Sequence, residues 1–365
     1  MREVRARPEI QALPEYRLRG QQGEVKLNQN ELPYDLPEEI KREVVEALLE
    51  RPWNRYPPMR AERLQALLAA MSGLREEQIV LANGSNEAIL GLLQAFATSG
   101  VVVLPQPGYS MARPLAVVAG AEVREIPLRP DLTLDPEAVV AAARDAHMVF
   151  LASPNNPTGR AVPREGIAWI AARTEALVVV DEAYWGFFPD HARSLVGTPE
   201  YERHTAVGLL GEFPNLAVVR TASKAFGLAG ARVGWVMGGR ELSAILLRTL
   251  PPYNLDVFAQ LAVEAVIRRP ELVRSRIARV VAERERVFTE LQAMGVRVYP
   301  SDANFLLFRC RDASAVFEYL AAQGILVRDV SHYPQLEGCL RVTIGTPEEN
   351  DRFLHALRRC TGVAG

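Results

Sequence analysis

The sequence predicts an α/β fold built around a mainly parallel sheet, and three observations predict it. Runs of four apolar residues recur at 101–104, 148–151, 177–180 and 216–219, the pattern of strands covered on both faces. Between them lie segments with helical periodicity, so strand and helix alternate for about 150 residues. At 365 residues the chain is also long enough for two core-bearing units.

Taken in order, residues 1–37 form an irregular arm rich in Pro, Gln and Arg, ending in Leu27-Asn28-Gln29-Asn30-Glu31-Leu32-Pro33-Tyr34. Such an arm is either a loose terminus or a segment packed over a site. From Pro37 the spacing of Ile40, Val44 and Leu48 predicts a helix that stops before Pro52. Leu64, Leu67, Leu68 and Met71 predict a second, with Gly73 placed to cap it. Residues 78–81 read as a buried strand, 83–86 as a turn and 87–96 as an apolar-faced helix. That junction is either an ordinary turn with one of its Ser or Asn residues as N-cap, or a cradle whose N–H groups, with the Ser85 hydroxyl, hold a phosphate.

The four central strands end in chemically suggestive groups. The first runs into Pro105-Gln106-Pro107-Gly108-Tyr109, the second into Ser153-Pro154-Asn155-Asn156-Pro157-Thr158-Gly159. The third ends in Asp181-Glu182-Ala183-Tyr184, and the fourth leads into Thr221-Ala222-Ser223-Lys224. Open α/β sheets bind ligands just beyond such carboxyl ends. Residues 232–235 predict another strand, and helices dominate 241–294, interrupted at Pro251-Pro252 and Pro270. Strands are then expected at 296–299, 304–308, 325–328 and 340–344, with helices at 313–323 and 347–359. The expected division is a large unit over 35–255, with an arm and a smaller α+β unit formed by 1–34 and 256–365.

Composition excludes several function classes. A net charge of −2 gives no pull toward nucleic acid or membrane, and the Arg-rich stretch 268–286 alternates with Ile, Val and Glu at helical spacing, as a solvated face does. Cys310, Cys339 and Cys360 lack CxxC spacing, and the five histidines lack metal-ligand spacing, so neither a disulfide framework nor a metal site is expected. No signal peptide or membrane-length run is visible. A cytoplasmic location fits these features. No G-x-G-x-x-G follows a strand, which disfavours a nicotinamide dehydrogenase.

Lysine is rare here: Lys26, Lys41 and Lys224 stand against a large excess of arginine. Lys224 is either a surface lysine that escaped this bias or a group chosen because lysine, unlike arginine, can lose its proton and attack a carbonyl. Asp181 likewise reads as a helix N-cap or as a buried carboxylate for a cationic partner. Together, a lysine, a phosphate cradle and a buried carboxylate suit pyridoxal 5′-phosphate, which needs one of each.

With these groups in place, the sequence resembles the fold-type I pyridoxal-phosphate aminotransferases of classes I and II, and within them it looks like the histidinol-phosphate aminotransferases. The resemblance spans nearly the whole chain. It is carried by Leu27-Asn28-Gln29-Asn30, Arg55-Tyr56-Pro57, Asn83-Gly84-Ser85-Asn86-Glu87, the 153–159 loop, Asp181 to Tyr184, Ser223-Lys224-Ala225-Phe226-Gly227 and Leu340-Arg341-Val342-Thr343-Ile344-Gly345. It implies an aspartate aminotransferase-like fold, Lys224 as the Schiff-base lysine and Asp181 as partner of the pyridine nitrogen. Asn156 and Tyr184 would bond the ring oxygen O3′, Tyr109 would stack on the ring, and Ser85, Asn86, Ser223 and Arg232 would hold the phosphate. For substrate it implies Arg341 at a carboxylate or phosphate, Arg328 at the phosphate, Tyr16 from the arm, and Tyr56 from a second copy of the chain in a homodimer. Asn86 stands where many relatives have Asp, and Leu32 interrupts the usual arm motif. The implied activity is transfer of an amino group from histidinol phosphate to 2-oxoglutarate, in histidine biosynthesis. The alternatives are an aminotransferase for aromatic or other amino acids, a phosphothreonine decarboxylase, and a sensor module without turnover.

Overall fold

The computed structural model describes residues 5–15, 23–188 and 204–361. Its largest element is a seven-stranded sheet in the order β2 (Ile79–Asn83), β8 (Val233–Gly238), β7 (Leu216–Thr221), β6 (Leu177–Asp181), β5 (Met148–Ala152), β3 (Val101–Gln106), β4 (Glu122–Pro127). Only β8 runs antiparallel to its neighbours, β2 and β7. The fold is therefore α/β with a mainly parallel central sheet, as expected.

The unbroken apolar runs have a direct cause. Val178 and Val180 join the core on one face of the sheet and Val179 joins the core on the other. Helices cover both faces, so neither side of the strand tolerates a polar residue. Each fully buried side chain of this size contributes roughly 1.5–3 kcal/mol. The edge strand β4 lacks such a run: Glu122, Arg124 and Glu125 share it with Val123 and Ile126, and no strand is predicted there from the sequence.

Beyond the large sheet, the 24-residue helix Pro270–Ala293 leads to an antiparallel sheet ordered β12 (Arg328–Asp329), β13 (Cys339–Thr343), β10 (Phe305–Arg309), β9 (Arg297–Tyr299). The core on one face of the large sheet continues through Val280 and Val287 of that helix to Phe305, Phe308 and Phe353. Arg284, buried within it, donates to the carbonyls of Phe187 and Ala303, both at 2.8 Å.

The structure corrects three expectations. The single strand expected at 325–328 is two: β11 (Ile325–Leu326) pairs in parallel with β1 (Val25–Lys26), and β12 pairs with β13. The arm is not wholly irregular, since it holds β1 and the short helix Pro8–Gln11. The turn expected at 83–86 is not a separate element: Asn83 ends β2 and the helix Gly84–Phe96 follows at once, with Gly84 at φ of 79° making the change of direction.

Candidate functional site

At the carboxyl ends of β3, β5, β6 and β7 lies a cavity of about 620 Å³. It is lined by Ser85, Asn86, Tyr109, Asn156, Asp181, Tyr184, Ser223, Lys224, Arg232, Arg328 and Arg341. The sequence-predicted residues thus converge, with two exceptions. Tyr16 lies outside the described residues. Tyr56 is 82% exposed on the surface, its ring stacked on Tyr253 with centroids 4.8 Å apart.

Lys224 follows β7 in a turn anchored by its neighbours. Ala222, Ala225 and Phe226 are buried, and Phe226 stacks on Trp235 at 6.1 Å, which leaves Lys224 to project into the cavity. Gly227, at φ of 68°, closes the turn by donating to the Lys224 carbonyl at 3.0 Å. The Lys224 amine donates to the Gln29 carbonyl at 2.9 Å and lies 5.9 Å from the Tyr184 ring centre. Burial, reinforced by the Arg341 charge, pulls its pKa down to about 7. A neutral amine is thus accessible near neutral pH.

Asp181 is the last residue of β6 and only 5% exposed. Burial pushes its carboxyl up to about 7, although the Ala183 N–H donates to it at 3.0 Å. Beside it, Glu182 accepts from Arg220 Nε and Nη2 at 2.9 and 2.8 Å and from Thr205 Oγ1, all buried. This network holds the 181–184 turn in place. An uncompensated carboxylate at Asp181 is costly, so the position favours a cationic partner.

A third group of residues forms a cradle for an anion. Arg232, in the left-handed region at φ of 53°, donates to Ser223 Oγ at 3.2 Å and lies against the start of the helix Gly84–Phe96. A Cβ on Gly84 would collide with the Arg232 guanidinium, and one on Gly234 would collide with the Ser85 nitrogen. Only glycine at both positions allows strand, guanidinium and helix N-terminus to meet. Backbone N–H groups, helix dipole, hydroxyl and guanidinium then point at one place. Tyr109 is held over this wall by donating to Asn86 Oδ1 at 2.7 Å, and Asn155 Nδ2 donates to the Pro107 carbonyl at 2.9 Å, tying the 153–159 loop to the loop of Tyr109.

The far wall comes from the smaller sheet. Arg341 on β13 donates to Asn156 Oδ1 at 2.6 Å and to the Asn28 carbonyl at 2.8 Å. Arg328 on β12 stands opposite it in register. Four cations, Lys224, Arg232, Arg328 and Arg341, face two carboxylates, Asp181 and Glu31, around the cavity. Its charge suits a ligand carrying more than one negative group.

Several lining residues lie beyond the predicted site set: Asn28, Gln29, Asn30, Ser110, Val330 and Tyr333. The first three belong to the arm. The motif Leu27-Asn28-Gln29-Asn30, quoted above for the resemblance but given no site role, is the signal that could have found them. Their backbone carbonyls at 28 and 29, not their side chains, meet Arg341 and Lys224.

Comparison with known proteins adds a family to this geometry. The family model for aminotransferase class I and II matches residues 22–357. Histidinol-phosphate aminotransferase from Thermococcus kodakarensis is 40% identical, covering 98% of this chain and 99% of that protein. The protein of the same name from Chlorobaculum parvum is 37% identical, covering 97% of each. A solved histidinol-phosphate aminotransferase from Sinorhizobium meliloti, in complex with pyridoxal-5′-phosphate, superposes with a TM-score of 0.87 at 23% identity, covering 99% of this chain and 98% of that one.

Proposed function

Since the chain belongs to the class I and II aminotransferases, we propose that it is a pyridoxal-phosphate enzyme that transfers the amino group of histidinol phosphate to 2-oxoglutarate, yielding imidazole acetol phosphate and glutamate. The observation that carries the substrate is the pair Arg328 and Arg341, opposite each other on β12 and β13 and both lining the cavity. Like charges in direct register repel. An anion between them offsets that cost, and histidinol phosphate brings a phosphate where glutamate brings a carboxylate.

The residues present fit the cofactor. The cavity volume lies in the usual range for small-molecule sites, and the absence of side chains at Gly84 and Gly234 lets Arg232 and the start of the helix Gly84–Phe96 close together beside it. Ser85, Asn86, Ser223 and Arg232 would hold the phosphate, Asp181 the ring nitrogen, Asn156 and Tyr184 the ring oxygen, and Tyr109 the ring face. When bound, pyridoxal phosphate supplies an aldehyde for amine exchange and a ring that takes up the electron pair left at the substrate α-carbon.

The chain's own groups do the rest. Lys224 Nζ, with its lowered pKa, attacks as a neutral amine and later accepts the proton from the substrate α-carbon. The Gln29 carbonyl, 2.9 Å away, steadies that amine when it is displaced. Asp181 would pair with a cationic ring nitrogen as a carboxylate, and its burial would shield that pair from water. Arg341 and Arg328 orient the donor so that its α-carbon faces Lys224.

Partner and location belong to the same proposal. Leu49, Trp53, Tyr56, Met59, Tyr253 and Phe258 are large apolar side chains left exposed, and a second copy of the chain would cover them while Tyr56 reaches the neighbouring cavity. The same proposal divides the chain into two units, 35–255 and 256–365 with the arm 1–34. No described helix is long and apolar enough to cross a membrane, and we place the enzyme in the cytoplasm. The proposal is tested by adding glutamate alone to the cofactor-loaded protein. An aminotransferase converts the absorbance to that of pyridoxamine phosphate; unchanged absorbance would favour a decarboxylase.

A further inference from the structure

Asn30 is outside every role assigned above, yet four hydrogen bonds fix it. It is 1% exposed, with φ of 55°, a left-handed value that asparagine tolerates better than most residues. Its N–H donates to Thr343 Oγ1 at 2.9 Å, and the Thr343 hydroxyl donates to Asn30 Oδ1 at 3.0 Å. Asn304 Nδ2 donates to the Asn30 carbonyl at 3.1 Å. The Thr343 hydroxyl gives its one proton to Oδ1, so the amide oxygen lies on the β13 side. Its Nδ2 therefore faces Tyr184, donating to the phenol oxygen at 2.9 Å. Toward Asn30 that oxygen is an acceptor, so its own proton points elsewhere.

We infer that Asn30 is a positioning residue, which by donating to the Tyr184 oxygen aims the phenol proton at the cofactor's ring oxygen and ties it to the strand carrying Arg341. Thr343 lies two residues after Arg341 on β13, so one amide links that strand to Tyr184. A donor on a phenol oxygen also strengthens the bond that the phenol gives. The Tyr184 ring is held edge-on by Phe305 at 5.2 Å, which leaves the hydroxyl rotor as the freedom Asn30 removes. The charged groups around this phenol are Lys224 and Asp181 on its own side, Arg341 across the cavity over the Phe305 ring, Arg232 at the cradle, and Glu31 paired with Lys26 on the arm. The inference rests on the proposed role of Tyr184 at the ring oxygen.

The test is an absorbance titration of the cofactor-loaded protein without substrate, which reads the pH midpoint of the bound chromophore. Asn30→Gly keeps the left-handed backbone and the N–H to Thr343 but removes the donor; its midpoint should rise by about 0.5–1 pH unit. Asn30→Asp should raise it further, because a carboxylate accepts the phenol proton and turns it away from the ring. Thr343→Val, which frees the amide, should move the midpoint in the same direction. In a Tyr184→Phe background the Asn30→Gly shift should vanish. Variants that melt like the parent and keep its midpoint would overturn the inference, as would a shift of equal size without the phenol. A wild-type protein that acquires no chromophore with pyridoxal phosphate would overturn the proposed function, and this inference with it.

Discussion

Arg328 and Arg341 stand directly opposite each other on antiparallel strands, and both line one cavity. Arg341 is anchored to Asn156 and to the Asn28 carbonyl. Arg341→Gln should lower kcat/KM about 10–150-fold for histidinol phosphate and for glutamate alike, the loss expected for a charge-assisted hydrogen bond. Arg328→Gln should lose a similar factor with histidinol phosphate and much less with glutamate. Steady-state kinetics with each donor checks both; equal losses for Arg328→Gln on the two donors would count against a phosphate role.

Lys224→Ala should reduce turnover by more than the roughly 10²–10⁴-fold typical of losing a general base, because the attacking amine is lost with it. Lys224→Arg should not rescue, since a guanidinium keeps its proton at any usable pH. Single-turnover assays on the purified variants decide this, and steady-state rates near wild type in either would remove Lys224 from the chemistry.

Removing the cofactor should leave a protein whose pH dependence reports Asp181 and Lys224. Burial raises the Asp181 pKa from 3.8 to about 7, so the stability this group contributes is present below pH 3.8 and is lost as pH rises through 7. Burial lowers the Lys224 pKa from 10.5 to about 7, so its contribution is full above pH 10.5 and is lost as pH falls through 7. Both are least favourable near pH 7. Asp181→Asn should therefore stabilise the cofactor-free protein there by about 1–3 kcal/mol, seen as a higher melting temperature. It should also weaken cofactor retention; a cofactor-free variant that melts below wild type at pH 7 contradicts the assignment.

Tyr56 tests whether two chains share a site. A Tyr56→Ala chain mixed with a Lys224→Ala chain forms heterodimers in which one cavity has both residues intact if Tyr56 acts across the interface. Activity should recover toward about a quarter of the wild-type level after random exchange. Mixtures no more active than the separate variants would show that Tyr56 serves its own chain or none.

Much of this site was legible in the sequence because the sheet is buried on both faces. Val178, Val179 and Val180 face two cores, so the strand reads as an unbroken apolar run and Asp181 stands out at its end. Lys224 stood out because the chain has so few lysines. The edge strand β4 was illegible because solvent admits Glu122 and Arg124 there, and β1 because two residues carry no periodicity. Asn30 was illegible for a different reason: its amide acquires a direction only from Thr343, which lies 313 positions away. Such a relation between distant residues exists once the two sheets are packed, and composition and spacing carry no trace of it.

The most direct test of the central claim is a donor screen with 2-oxoglutarate as acceptor, measuring kcat/KM for histidinol phosphate, phenylalanine, tyrosine and phosphothreonine. The cavity's two opposed arginines predict that histidinol phosphate has the highest value, with glutamate as the second product. A higher kcat/KM for phenylalanine or tyrosine, or release of carbon dioxide from phosphothreonine, would contradict it.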